Sequence, residues 1–168
     1  EVGELYARTP YGFDGYWKNP DKTAEAFRGD WCSVGDMARR GEGGYIHLVD
    51  RKSNMIISGG ENIYPSEVES VLGAHPKVKD VAVVGVPHDK WGEAVHAIVV
   101  LHHDTEATED ELVDWCRGRI AGYKRPWEYT FGDGAFLGVD LQLHGRAALA
   151  REVALEVVRD AEDRLGLP

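Results

Sequence analysis

The apolar positions of this chain change period near residue 50, and the change separates two regions of different architecture. Up to Asp50 short strands alternate with glycine-rich turns. Strands are expected at Glu4–Thr9, Trp31–Val34 and Tyr45–Asp50, with a loop through Tyr11–Asn19. Asn19-Pro20 before D-K-T-A-E-A-F predicts one short helix. The run A-R-R-G-E-G-G-Y reads as a hairpin, with glycines where positive φ carries no steric penalty. This region has too few apolar residues for a core of its own, so it is expected to pack on something larger.

Beyond Asp50 strands and helices alternate. Met55–Ile57 reads as a short strand. Ser66 opens a helix, S-E-V-E-S-V-L-G, with Glu67 and Glu69 in its first turn and Gly73 as its stop. Val68, Val71 and Leu72 share one face of it. Val78–Val86 and Ala94–Leu101 read as buried strands, joined by a turn that carries Pro87, Asp89, Trp91 and Gly92. Thr108, at capping-box spacing from Glu111, begins a helix that runs through R-G-R-I to Gly122. Y-K-R-P then leads into a strand through Phe131, and Arg146–Leu165 has a helical stripe of Leu149, Val153, Val157, Ala161 and Leu165.

Composition narrows the chemistry. The 168 residues suit one ordinary domain, or a small domain with part of another. The formal charge of −10 argues against a nucleic-acid or anionic-membrane surface, so a phosphate-bearing ligand must meet a local set of donors. Cys32 and Cys116 match neither a disulfide framework nor a metal-ligand spacing, and both are expected as buried thiols in a reducing, cytoplasmic setting. No apolar run approaches the ~20 residues of a membrane span. The histidines are scattered, His102-His103 reads as a solvated strand end, and no metal ligand is assigned. The chain opens at Glu1 inside the strand-like G-E-L-Y-A-R-T, which reads as a fragment of a longer protein.

The densest stretch runs from Asp50 to Glu69, D-R-K-S-N-M-I-I-S-G-G-E-N-I-Y-P-S-E-V-E. Upstream stand G-E-L, Y-G-F-D-G-Y-W, W-C-S-V-G-D and G-Y-I, and downstream Y-K-R-P. In this order the motifs resemble the adenylate-forming enzymes: acyl-CoA synthetases, the adenylation domains of peptide synthetases, and luciferases. The likeness spans about residues 3–133. It implies an α+β fold: a small mixed or antiparallel sheet with flanking helices, forming a mobile lid over 51–168. Residues 1–50 would be the last strands of a large AMP-binding domain, and 131–168 are atypical for the lid.

The resemblance also implies roles. Asp36 would accept hydrogen bonds from the ATP ribose hydroxyls, as an ionised acceptor suits two vicinal donors; the alternative is an aspartate capping a β-turn beside Gly35. Arg51 would reach the nucleotide, and Asp50 or Lys52 would be the hinge; a surface ion pair is the alternative, above all for Lys52. Ser58, Gly59, Gly60 and Glu61 would line the channel for the pantetheine arm of CoA, because a pair of glycines lets a ligand lie against bare backbone. Trp91 matches a position where some CoA ligases stack the CoA adenine, although it could instead fold back onto the sheet. Tyr123 and Arg125 match positions near the CoA nucleotide, with Arg125 facing a phosphate.

One motif departs from the family. Its Thr/Asn-Gly-Lys, whose lysine approaches the carboxylate and α-phosphate during adenylation, has here only the echo His144-Gly145-Arg146. An ungapped count from Pro126 reaches Gln142 instead. Arg146 would stand in for the lysine as the catalytic residue, with a planar fork in place of a point charge. The activity implied is that of an AMP-forming acid–CoA ligase of fatty acid metabolism. It would use ATP with Mg, CoA and a small carboxylate, and work with a missing N-terminal domain; the fragment alone would be inactive. Homo-oligomerisation is left open. Two other readings stand beside it: an adenylation domain that loads a carrier protein, and a non-catalytic interaction module with the lid fold.

Overall fold

A computed structural model describes residues 1–132, which fall into two compact units that part between Ser53 and Asn54. The expected boundary lay at residues 50 and 51. Asp50 and Arg51 are instead still strand residues of the first unit, and the single 3-10 turn Lys52–Asn54 carries the division.

The first unit is a four-stranded antiparallel sheet of β1 (Val2–Ala7), β2 (Phe27–Arg28), β3 (Trp31–Arg40) and β4 (Ile46–Arg51). The short helix α1 (Pro20–Ala26) starts where Asn19 accepts a hydrogen bond from the Lys22 amide and proline occupies the first turn, which lacks amide partners in any case. β3 is much longer than the expected Trp31–Val34. It continues because it bulges: Leu5 alone stands opposite Val34, Gly35 and Asp36. Gly35 takes φ +77°, a conformation that other residues adopt only with strain. Ala38 is the one buried apolar residue among the described residues of this unit, in line with the scarcity of core residues in its sequence.

The second unit holds the core. Its sheet contains β5 (Ile56–Ser58), β6 (Glu61–Ile63), β7 (Val78–His88), β8 (Gly92–Leu101) and β9 (Glu128–Gly132). β7 and β8 form a long antiparallel hairpin. The other edge of β8 is shared: β5 pairs with it at Ser58 opposite Gly92, and β9 runs parallel to it from His96 to Val100. The sheet is therefore mixed, and it is flanked by α2 (Pro65–Gly73) and α3 (Glu109–Cys116). This is the α+β arrangement expected.

Strand alternation sorts the hairpin into two apolar faces. Val83, Val95, Ala97 and Val99 join Val68 and Leu72 of α2 and Leu112 and Cys116 of α3 in the main core. Ala82, Val84, Ala94, Ile98 and Val100 form the second face. α2 begins one residue before Ser66, with Pro65 in its first turn and no side-chain cap. α3 is capped by Thr108, whose hydroxyl accepts from the Glu111 amide at 3.3 Å. It stops at Cys116 and not at Gly122, because Gly118 turns the backbone left-handed at φ +76°. Cys116 is buried as expected, but Cys32 is only half-buried on the coreless first sheet. Among the described residues no helix is long and apolar enough to cross a membrane.

Candidate functional site

In the first unit, the expected nucleotide contacts meet each other. Asp36 and Arg51 are opposite partners in the β3–β4 ladder, and Arg51 Nε lies 3.1 Å from Asp36 Oδ1. Asp36 belongs to a strand and does not cap a turn. Its side chain is 20% exposed and Arg51's 65%, so the carboxylate sits in the bulge with the guanidinium reaching outward. Lys52 donates to Glu4 Oε2 at 2.9 Å, the ion pair that was its alternative reading. Ser33 donates to the other Glu4 oxygen at 2.6 Å. These bonds, Ser33's first, hold the Glu4 carboxyl below the usual carboxylate range. Asp50 accepts from the Arg51 amide through Oδ1 at 2.7 Å.

In the second unit the structure brings six of the expected residues into one cleft of about 390 Å³: Ser58, Gly59, Glu61, Trp91, Tyr123 and Arg125. Gly60 stands at the same turn without lining the cleft. The cleft lies where β8's edge passes from one neighbour to the next. β5 ends at Ser58, β9 joins through the Trp127 amide on Val95 O at 2.8 Å, and Ala94 and Val95 line the interval.

Three local structures shape it. The Gly59-Gly60 turn has φ of +59° and +86°, the positive pair that a two-residue β-hairpin requires, and joins β5 to β6. The Gly59 amide donates to Trp91 O at 2.9 Å, which anchors the turn to the start of β8. Gly122–Lys124 forms a 3-10 turn that presents Tyr123 and Arg125. Lys124 reaches the opposite way, donating to both oxygens of Glu67 on α2 at 2.7 and 2.8 Å. That carboxylate pushes the Lys124 ammonium up from its ordinary value.

Trp91 sits in the expected turn between β7 and β8, but its ring is not fully open to solvent. It is half-buried against the second apolar face, stacked on His88 with ring centroids 4.4 Å apart and an interplanar angle of 12°. Trp127 meets it edge to face at 4.7 Å. The ring thus packs back on the sheet, its alternative reading, while also lining the cleft.

Sequence reasoning missed His88, Glu93 and Trp127. Trp127 carried a signal, an aromatic set directly after the cationic K-R-P and before an acid. Glu93 carried none, because its role depends on a strand far away in sequence: its Oε2 accepts from the Ile57 amide at 2.7 Å. With only one residue pair between β5 and β8, that carboxylate adds a hydrogen bond to the Gly59–Trp91 bond and to the burial of Ile56 and Ile63 that hold the β5–β6 hairpin. Glu93→Ala should lower hydrogen-exchange protection of the Ile57 amide by about tenfold, the loss of a charge-assisted bond of about 1.5 kcal/mol. Glu93→Gln, which keeps an acceptor oxygen, should restore most of it; equal protection in all three proteins would refute the contact. Arg146, with its neighbours His144 and Gln142, lies outside the described residues.

The chain is similar to several known proteins. Residues 67–135 match the AMP-binding enzyme C-terminal domain. Feruloyl-CoA synthase from Amycolatopsis sp is 47% identical over 133 residues, covering 79% of this chain and 27% of that enzyme. ATP-bound MatB from Rhodopseudomonas palustris is 37% identical with a TM-score of 0.73, over 79% of this chain and 27% of that one. The amide bond synthetase McbA from Marinactinospora thermotolerans is 37% identical with a TM-score of 0.71, over the same 79% and 27%. The chain spans well under a third of the length of each of these proteins. By motif order, fold and these likenesses, it carries the C-terminal domain of the AMP-binding enzymes, the acyl-CoA synthetase and ligase family.

Proposed function

We propose that this chain is the C-terminal part of an AMP-forming acid–CoA ligase. The observation that carries the reading is the cleft: a bare-backbone turn at Gly59-Gly60, a strand edge at Ala94 and Val95, a guanidinium at Arg125 and exposed aromatic rings converge there. A wall of bare backbone with few charged side chains suits a pantetheine arm, and a cation beside aromatic rings suits the nucleotide that carries it.

The chemistry has two steps. A carboxylate oxygen attacks the α-phosphorus of MgATP, the bond to the bridging oxygen breaks, and pyrophosphate leaves an acyl-adenylate. The thiolate of CoA then attacks the acyl carbon, forming the thioester as AMP departs. Asp36 would hold the ribose hydroxyls, with Arg51 beside it for the nucleotide, and of the two hinge candidates Lys52, at the turn where the units part, would be the hinge between the two steps. Arg146 would supply the positive charge that the family takes from lysine. Because the matched relatives are much longer, turnover is expected of the longer polypeptide and not of residues 1–168 alone.

The acceptor is the point of competition, since one relative is an amide bond synthetase. Arg125 and the rings around it favour a free nucleotide thiol over a carrier-bound one or an amine. In the full-length enzyme, Trp91→Ala combined with Arg125→Ala should raise KM for CoA about tenfold or more and leave adenylation, read by pyrophosphate release, nearly unchanged. Unaltered CoA kinetics would move the acceptor to a carrier protein or an amine.

A further inference from the structure

Trp91 has little ring surface left for a ligand. His88 covers one face at 4.4 Å, Trp127 meets the ring at 4.7 Å, and the indole rests against the second apolar face of the sheet. Trp127 is different. It is 60% exposed in the same cleft, yet its backbone is fastened: the buried Pro126 precedes it and its amide bonds to Val95 O at 2.8 Å. An indole that is held in place and left open to solvent is not accounted for by packing within the sheet. Tyr123, 52% exposed, is a second open ring in the lining, and Arg125 adds a cation between them in sequence.

We infer that Trp127, and not Trp91, is the surface on which the adenine ring of a nucleotide ligand stacks in this cleft. His88 and Trp91 form the bracket that fixes Trp127's orientation through the edge-to-face contact. A purine needs a flat, desolvatable face of its own size beside a charge for its phosphates, and Trp127 with Arg125 provides that combination. The inference rests on the nucleotide-thiol reading of the cleft and assigns its base-binding residue.

The full 168-residue chain is titrated calorimetrically with adenosine 3′,5′-bisphosphate, its uridine counterpart and ATP. The adenosine bisphosphate should bind better than the uridine compound. Trp127→Ala should weaken it by about 5- to 150-fold, the range of one lost base–aromatic stack. Trp127→Phe, which keeps an aromatic face in the cleft, should recover most of the affinity. ATP is the other source of the base: tighter binding of ATP with the same dependence on Trp127 would keep the stacking surface and shift the ligand from CoA to ATP. If adenosine bisphosphate binds but Trp127→Ala matches wild type, this inference alone falls. Equal binding of the uridine compound would also overturn it, because the site would then read phosphate only. If the wild-type chain binds no nucleotide at millimolar concentration, the nucleotide-thiol reading falls with it. Trp127 is surface-exposed, so its variants should retain the wild-type melting transition as a check on folding.

Discussion

Acidifying the protein from pH 7 to pH 4 should remove about 3 kcal/mol of stability from the second unit through one residue, His96. Its ring is buried on the second face of β8 at 1% exposure. Nε2 is hydrogen-bonded to Thr130 Oγ1 at 2.9 Å, and Nδ1 is buried with no hydrogen-bond partner, the Glu128 carboxylate standing 3.6 Å away. Burial pushes the imidazole down to about 4 from an ordinary value of 6.5. The sign follows from where the protons bind. Above pH 6.5 the ring is neutral in both folded and unfolded chains and the stabilisation is complete. Between pH 6.5 and 4 the unfolded chain takes up a proton that the folded chain refuses, so stability falls; below 4 the loss is complete. Glu128 moderates the fall, since its carboxylate would attract the imidazolium. Urea midpoints at pH 7, 5.5 and 4.5 would measure the slope. His96→Gln, which cannot titrate and can still bond Thr130, should lack this slope over that interval, and a slope equal to wild type would locate the acid sensitivity elsewhere.

Leu72→Ala should cost about 2–5 kcal/mol, the range for truncating a fully buried leucine whose surroundings collapse only partly. Leu72 has 0% exposure and belongs to the core shared by α2, α3 and one face of the β7–β8 hairpin. α2 is short and has no side-chain cap, so its place depends on Pro65, Val68 and Leu72 more than on its own helix propensity. Trp115 of α3 also donates to Val71 O at 2.8 Å, which couples the two helices at this point. The exposed neighbour Ser70 offers the control: Ser70→Ala should stay within about 0.5 kcal/mol of wild type. A Leu72→Ala midpoint inside that same margin would mean that the helix is not held by this core.

The two largest effects fall on residues of very different legibility. Leu72 could be placed in the sequence, because Val68, Val71 and Leu72 recur at helical spacing and only one face can be apolar. His96 could not, because a histidine within the run A-V-H-A-I-V-V does not reveal which face of the sheet it occupies or whether that face is buried. The same contrast runs through the site. Gly59-Gly60 announced a tight turn, since two positive φ angles leave few other choices. The partners of Asp36 and Lys52 were hidden, because Asp36 meets Arg51 through the β3–β4 register, which shifts between Met37 and Ala38, and Lys52 meets Glu4 from a strand 48 residues earlier.

By itself the sequence determined most of the strands and helices but not the short strands β2 and β6, together with the scarcity of core in residues 1–50, the turn at Gly59-Gly60 and the family that the motifs resemble. These are properties of local spacing and backbone permission, which a short stretch of chain decides alone. Only the tertiary structure decided that β5 and β9 share one edge of β8 and leave a cleft between them. It also turned Trp91 inward onto His88 and left Trp127 open, and it drew Glu93 onto the Ile57 amide. Each of these depends on which distant strands meet and in what register, a choice made by burying apolar area across the whole sheet and not by any residue's own preference.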